Sequence, residues 1–208
     1  FEKIIIRSRL IIIIIMIKKI FFTFVVLFTC GALMNVSAKD IISKGEQVVK
    51  LGIGIGSYYG GDGYASSVPP ISASYEKGIL EGLLGGKASI GVGGYLGYSA
   101  NKWESSFNNE TWGYKYSYLI LGARGLFHYQ LVKKLDTYAG LMLGYNVVSS
   151  KYYGSDAIAP YVGSASSASG IGYSAFAGAR YNFNKKFGAY AEIGYGISAL
   201  ELGVSIKL

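Results

Sequence analysis

The sequence predicts an all-β chain: an antiparallel up-and-down transmembrane β-barrel, eight strands round, preceded by a cleaved signal peptide. Three observations predict it. From Glu46 onward apolar residues recur at every second position, the period of a strand and not of a helix. Only 15% of the 208 residues are charged while 51% are hydrophobic, too few charges to cover a surface that faces water. The chain also holds 30 glycines and 19 tyrosines, and a lipid-facing barrel needs small residues in its narrow interior and aromatics at its rims. The same apolar fraction excludes a disordered chain.

The leader comes first. Met16-Ile17-Lys18-Lys19-Ile20 is a short positive segment, Phe21 to Met34 an apolar core, and Val36-Ser37-Ala38 a small-x-small cleavage site. Residues 16–38 are therefore expected to be removed, leaving residues 39–208 as the barrel. A transmembrane helix from Leu10 to Met34 is the competing reading, but Lys18 and Lys19 divide it into runs shorter than the ~20 residues a span requires. Residues 1–15 are mostly isoleucine and are read as a non-native upstream extension, with Met16 the true start. Cys30, the one cysteine, lies in the leader, and His128 is the one histidine, so the inventory offers no disulfide and no metal site. No cofactor is expected. The net charge of +8 falls to +4 once five basic residues and one acidic residue before position 39 are set aside, and the remaining lysines are scattered. Nucleic acid, which requires a basic stripe, is not an expected partner.

The strands follow in order. In strand 1, Val49, Leu51, Ile53 and Ile55 alternate with Lys50, Gly52, Gly54 and Gly56. Strand 2 is expected at Ile71–Lys77 and is the least marked. Strand 3 alternates Ala88, Ile90, Val92 and Leu96 with Ser89, Gly91, Gly93 and Gly97, and strand 4 sets Leu119, Leu121, Ala123 and Phe127 against Ile120, Gly122, Arg124 and His128. Strand 5 sets Ala139, Leu141, Leu143 and Tyr145 against Tyr138, Gly140, Gly144 and Asn146. Strands 6, 7 and 8 are expected over Ile171–Phe183, Phe187–Ile197 and Leu200–Leu208. The Gly52-Ile53-Gly54-Ile55-Gly56 run resembles a phosphate-binding loop only superficially, because position 57 is Ser57 and no helix follows.

Aromatics decide between a soluble sandwich and a membrane barrel. Tyr173 and Tyr181 with Phe183 bracket three alanines on the apolar face of strand 6, and Phe187 and Tyr195 bracket strand 7. With Tyr145 they form the aromatic girdle expected at the two edges of a hydrocarbon band. A hairpin pattern also repeats: Gly122-Ala123-Arg124, Phe127, Lys133-Lys134 and Tyr138-Ala139 recur as Gly178-Ala179-Arg180, Phe183, Lys185-Lys186 and Tyr190-Ala191. Connections 57–69, 99–113 and 148–168 are long and polar, 78–87 is intermediate, and 130–136 and 184–186 are short and basic; a tight last hairpin is expected near Gly196–Ala199. Long outside and short inside is the arrangement of outer-membrane barrels.

The segment Tyr138-Ala139-Gly140-Leu141-Met142-Leu143-Gly144-Tyr145-Asn146 and the C-terminus Glu201-Leu202-Gly203-Val204-Ser205-Ile206-Lys207-Leu208 carry a resemblance. The whole region after the leader resembles the small outer-membrane β-barrels of Gram-negative bacteria, the OmpX, OmpW and OmpA-barrel kind. The resemblance implies residence in the bacterial outer membrane, contact with its lipid, and recognition by the barrel assembly machinery. The terminal octapeptide looks like that family's assembly signal through Gly203, Ile206 and Leu208, with Leu208 standing where the family ends on an aromatic. Fold does not give function.

Charges on the inward face set the sharpest expectation. Lys50, Glu76, Arg124, Arg180, Glu192, Glu201 and Lys207 all fall there, and buried charges must pair or be hydrated. Arg124 and Arg180 are expected to bridge to Glu192 or Glu201 and plug the lumen. The chain is read as a non-enzymatic, monomeric barrel with a structural or surface-interaction role. The outer connections carry Tyr58, Tyr59, Tyr64, Trp103, Phe107, Trp112, Tyr152, Tyr153 and Tyr161, side chains suited to a surface ligand or to packing on one another. The alternatives are a narrow channel for small, apolar solutes entering laterally, as in OmpW-like barrels, and a lipid-modifying enzyme. The latter would need a serine and an acid beside His128, facing lipid.

Overall fold

The computed structural model describes residues 41–57, 64–107, 110–154 and 169–208. The expected leader and upstream extension lie outside them, as do Tyr58, Tyr59, Tyr161 and the side chains of Tyr64 and Phe107. Eight strands form one closed antiparallel ring: β1 (Gln47–Ser57), β2 (Tyr64–Gly82), β3 (Ala88–Phe107), β4 (Glu110–Val132), β5 (Leu135–Tyr153), β6 (Gly170–Asn182), β7 (Phe187–Gly194) and β8 (Ser198–Lys207). Each strand pairs with its sequence neighbours, and β1 closes the ring on β8 with Val48 opposite Lys207 and Ser57 opposite Ser198. Closure pairs every strand with two neighbours, so backbone groups along the paired registers bond without water.

The alternation read from the sequence sorts the side chains. Leu51, Ile53, Leu121, Leu141, Leu143, Ile171 and Ile193 stand exposed on the outside, Leu141 at 70% and Ile171 at 80%. On β4 this outward row runs from Phe127 to Leu119, eight residues or roughly 26 Å of strand. Apolar surface on that scale costs about 25 cal/mol per Å² in water and nothing in hydrocarbon. The inward face buries Lys50, Glu76, Arg124, His128, Asp136, Arg180 and Glu192.

Strand ends depart from the sequence reading. β2 is far longer than Ile71–Lys77, and it carries Pro69-Pro70 where its register with β3 shifts between Val68 and Ile71. Proline has no N–H to give a ladder, so it sits at such an irregularity. β3, β4 and β5 run on through stretches expected as loops, in unbroken register from Leu119–Tyr98 to Trp103–Tyr114 and Tyr114–Tyr152. β6 ends at Asn182, so Phe183 falls in a turn, and β7 ends at Gly194, so the bend occupies Tyr195–Ile197.

The connections at the end that holds both ring termini are short. They are a turn at Leu83–Gly86, a two-residue turn at Lys133-Lys134, and a bend at residues 183–186. Lys134 takes the left-handed conformation there (φ 66°).

Candidate functional site: the lumen and the long-strand wall

The interior is built from all eight strands. Arg124 on β4 donates to Glu192 Oε1 on β7 at 2.5 Å, and Tyr138 on β5 donates to Glu192 Oε2 at 3.2 Å. Lys50 on β1 lies 3.8 Å from both Glu76 on β2 and Glu192, with its ammonium 4.2 Å from the centre of the Tyr138 ring. His128 on β4 faces Glu76 Oε1 at 2.5 Å through Nε2 and Asp136 Oδ1 at 2.8 Å through Nδ1. Arg180 on β6 donates to the other oxygen of Asp136. Glu201 on β8 accepts from the phenols of Tyr95 on β3 at 3.0 Å and Tyr190 on β7 at 2.5 Å. One chain of contacts thus runs from Arg180 through Asp136, His128, Glu76, Lys50 and Glu192 to Arg124.

The state of His128 follows from its partners. A carboxylate only accepts, so a ring with an oxygen at each nitrogen must donate from both, and only the imidazolium can do so. Around it Lys50, Arg124 and Arg180 are ion-paired with Glu76, Asp136 and Glu192.

The inward glycines are not empty space. A Cβ on Gly52 would come within 2.3 Å of the Tyr190 hydroxyl and 2.8 Å of Glu201, and one on Gly91 within 2.3 Å of Glu76. The lumenal carboxylates therefore occupy the room the glycines vacate. Tyr95, Ile120, Leu126, Tyr138, Met142, Phe176 and Ile197 pack as an apolar cluster, with the Arg124 guanidinium 3.6 Å above the Phe176 ring. What remains beside Arg124, Glu192 and Glu201 is a cavity of about 20 Å³.

The structure brings Lys50, Arg124 and Glu192 together, while Arg180 reaches neither Glu192 nor Glu201: its ion pair is with Asp136. Glu201 is held by tyrosines, and Lys207 pairs with Glu46 at 3.1 Å near the short-turn end. The inward position of Asp136 follows from the turn at Lys133-Lys134, which starts β5 at Leu135 where the sequence predicts a connection over 130–136. His128 has both ring nitrogens on carboxylates inside the barrel, so none remains for a nucleophile and none faces lipid.

Tyr173 (89% exposed), Tyr195 and Tyr145 stand on the outside in the long-strand half, and Phe187 stands outside near the 183–186 bend. Tyr181 and Phe183 are half-buried against each other at 5.7 Å between ring centres. Gly203 lies so close to β1 that a Cβ would sit 2.0 Å from the Leu51 carbonyl oxygen. Ile206 pairs between Val49 and Phe187, and Leu208 donates its N–H to Gln47 at 3.0 Å. Above the ring, Trp103 and Trp112 meet edge to face at 5.2 Å, and Tyr114 meets Tyr152 at 5.7 Å.

A closed ring of eight antiparallel strands, apolar outside and charged within, defines the class: this is a small β-barrel of the bacterial outer-membrane type. No protein-family model matches the chain, and no curated protein matches it. Among solved structures it is similar to the outer membrane protein OprG from Pseudomonas aeruginosa, with a TM-score of 0.51 at 9% identity over 84% of this chain and 99% of that one. It also matches Ail, the attachment invasion locus protein of Yersinia pestis, solved in complex with the heparin analogue sucrose octasulfate. That match has a TM-score of 0.47 at 16% identity and covers 79% of this chain and 96% of that one. The N-terminal β-barrel domain of Pseudomonas aeruginosa OprF matches with a TM-score of 0.39 at 14% identity over 80% and 98% of the two chains. At such identities the likeness is one of fold.

Proposed function

We propose that this chain is a non-enzymatic, monomeric barrel of the outer membrane whose lumen is closed by its own charge network, so that its contacts are made by the wall of long strands on the cell exterior. The observation that carries this reading is the unbroken chain from Arg180 to Arg124, which leaves about 20 Å³ beside it. Room for about one water is no path for a solute. The lengths of the connections support the orientation, with short turns toward the periplasm. Assembly through Gly203, Ile206 and Leu208 by the barrel machinery belongs to the same reading. Proteoliposomes test it. Vesicles carrying the folded barrel should swell in a small sugar no faster than empty vesicles, and rapid swelling would overturn a closed lumen.

One observation favours a second reading, a lateral path for small apolar solutes. β6 pairs with β5 from Leu135–Tyr181 up to Asn146–Gly170, yet its last ladder partner on β7 is Gly194, opposite Phe176. Among the described residues only the Tyr195 N–H, bonded to the Ala175 carbonyl at 3.0 Å, extends that seam. A cavity of about 190 Å³ lined by Ile120, Met142, Asn146, Gly172, Ser174 and Tyr195 sits there. Filling it by Gly172→Trp should abolish uptake of an apolar solute into vesicles if this path is used, and leave it unchanged if it is not.

A further inference from the structure

Residues 41–46 precede β1 at the end of the ring that carries the short turns, yet Ile41 and Ile42 are buried, Ile42 completely. Hydrogen bonds fix this stretch against β2. The Gly45 N–H donates to the Gly78 carbonyl at 2.9 Å, and the Gly78 N–H donates to the Glu46 carbonyl at 2.9 Å. The Lys44 N–H reaches a Glu81 carboxylate oxygen at 3.2 Å. Glu46 closes the bend: its N–H donates to the Ser43 carbonyl at 3.0 Å, and its Oε2 accepts the Ser43 N–H at 2.9 Å. Its Oε1 lies 3.1 Å from Lys207 Nζ on β8. Gly45 supplies the positive φ of 84° that the bend needs. The stretch is thus a strap fastened to β2 and β8, the two neighbours of β1.

Gly78 shows where the strap lies. Its parity on β2 is that of Ser74 and Glu76, which point inward. A Cβ on Gly78 would come within 2.1 Å of the Ser43 carbonyl oxygen and 3.3 Å of Ile42 Cγ1, and its three nearest atoms all belong to the strap. Ile42 therefore reaches the inner face of the ring, about 7 Å of strand from Glu76, which faces His128. The polar residues at that mouth need such a cover. Asp136 is the second residue of β5, Asn182 the last of β6 and Lys207 the last of β8, and all three are buried. So is Ser89, opposite His128, whose Oγ has no hydrogen-bond partner. Excluding water there strengthens every ion pair of the lumen.

We infer that residues 41–46 are a lid that seals the lumen at the short-turn end, clasped by Glu46 to Lys207, and that its release admits water to the His128 cluster while the strands stay paired. The clasp sits at the rim, where the Glu46 side chain is 24% exposed and water competes for it. Lys207 comes beside β1 only when β8 pairs with it, so the lid shuts on a completed ring.

Gly78→Val separates the lid from the barrel, because the nearest atoms its side chain meets are those of the strap. Gly125→Val is the control, since a Cβ there meets nothing within 4 Å. Both are made in the full chain carrying Cys30→Ser and Ser89→Cys, which puts a single thiol above the lid. The rate of its reaction with a charged methanethiosulfonate is measured in detergent micelles, with heat-modifiable gel migration reporting the folded ring. The thiol should be protected in the parent and in the control, and react at least about tenfold faster with Gly78→Val, the mark of a local opening. I41S/I42S, which leaves Gly78 in place, should expose it likewise, and Glu46→Ala should fall between. Hydrogen exchange at Gly45 and Glu46 should be slow in the parent and fast with Gly78→Val, while the β4 amides stay slow in both. Unchanged protection of the thiol in folded Gly78→Val or I41S/I42S barrels overturns the inference, as does rapid reaction in the parent. Loss of the folded ring in both variants, or faster exchange along β4, overturns it as well, because a lid leaves without its barrel.

Discussion

His128 is the residue on which the interior turns. It is fully buried, sits between Glu76 and Asp136, and is the one histidine of the chain, so a selective ¹⁵N label reports it without overlap. The predicted spectrum of the folded barrel at pH 7 shows two protonated ring nitrogens; one unprotonated nitrogen would refute the doubly donating ring. Asp136 serves both His128 and Arg180, so Asp136→Ala takes the ion-pair carboxylate from buried Arg180 and one of two carboxylates from His128. Urea unfolding in detergent should record a loss of about 3–5 kcal/mol. Arg124 and Glu192 were legible in the sequence because strand parity places both inside, and burial forces opposite charges together. The partner of Arg180 was not. Asp136 follows a basic turn whose length fixes its parity, and two residues of turn rather than seven put it inside.

At the scale of elements, alternation was readable wherever one face meets lipid and the other the lumen. It failed where β3, β4 and β5 leave the membrane, because both faces there are polar or aromatic and only the ladder continues. Backbone pairing carries no side-chain period, so strand ends in water are not written in the sequence. Ladders outside lipid are also dispensable to the ring: deleting residues 104–113 should leave heat-modifiable migration intact, and loss of the folded band would show that the extension is part of the barrel's stability. At the two-residue turn between β4 and β5, Lys134 holds a conformation that costs an L-residue about 1–2 kcal/mol. Lys134→Gly should raise the unfolding free energy by about 1 kcal/mol, and a decrease would mean that contacts of the lysine outweigh the strain.

For the molecule as a whole, the outside presents an apolar band and the inside a network of paired charges. An eight-strand ring is just wide enough inside for side chains to fill, and here buried charges and aromatics occupy much of that space. Closure is the central claim, and single-channel conductance across a planar bilayer tests it most directly. The folded wild type should give no discrete current steps, while Arg124→Ala combined with Glu192→Ala, which removes the ion pair beside the 20 Å³ cavity, should give small ones. Reproducible steps from the wild type would contradict the account and make the barrel a channel.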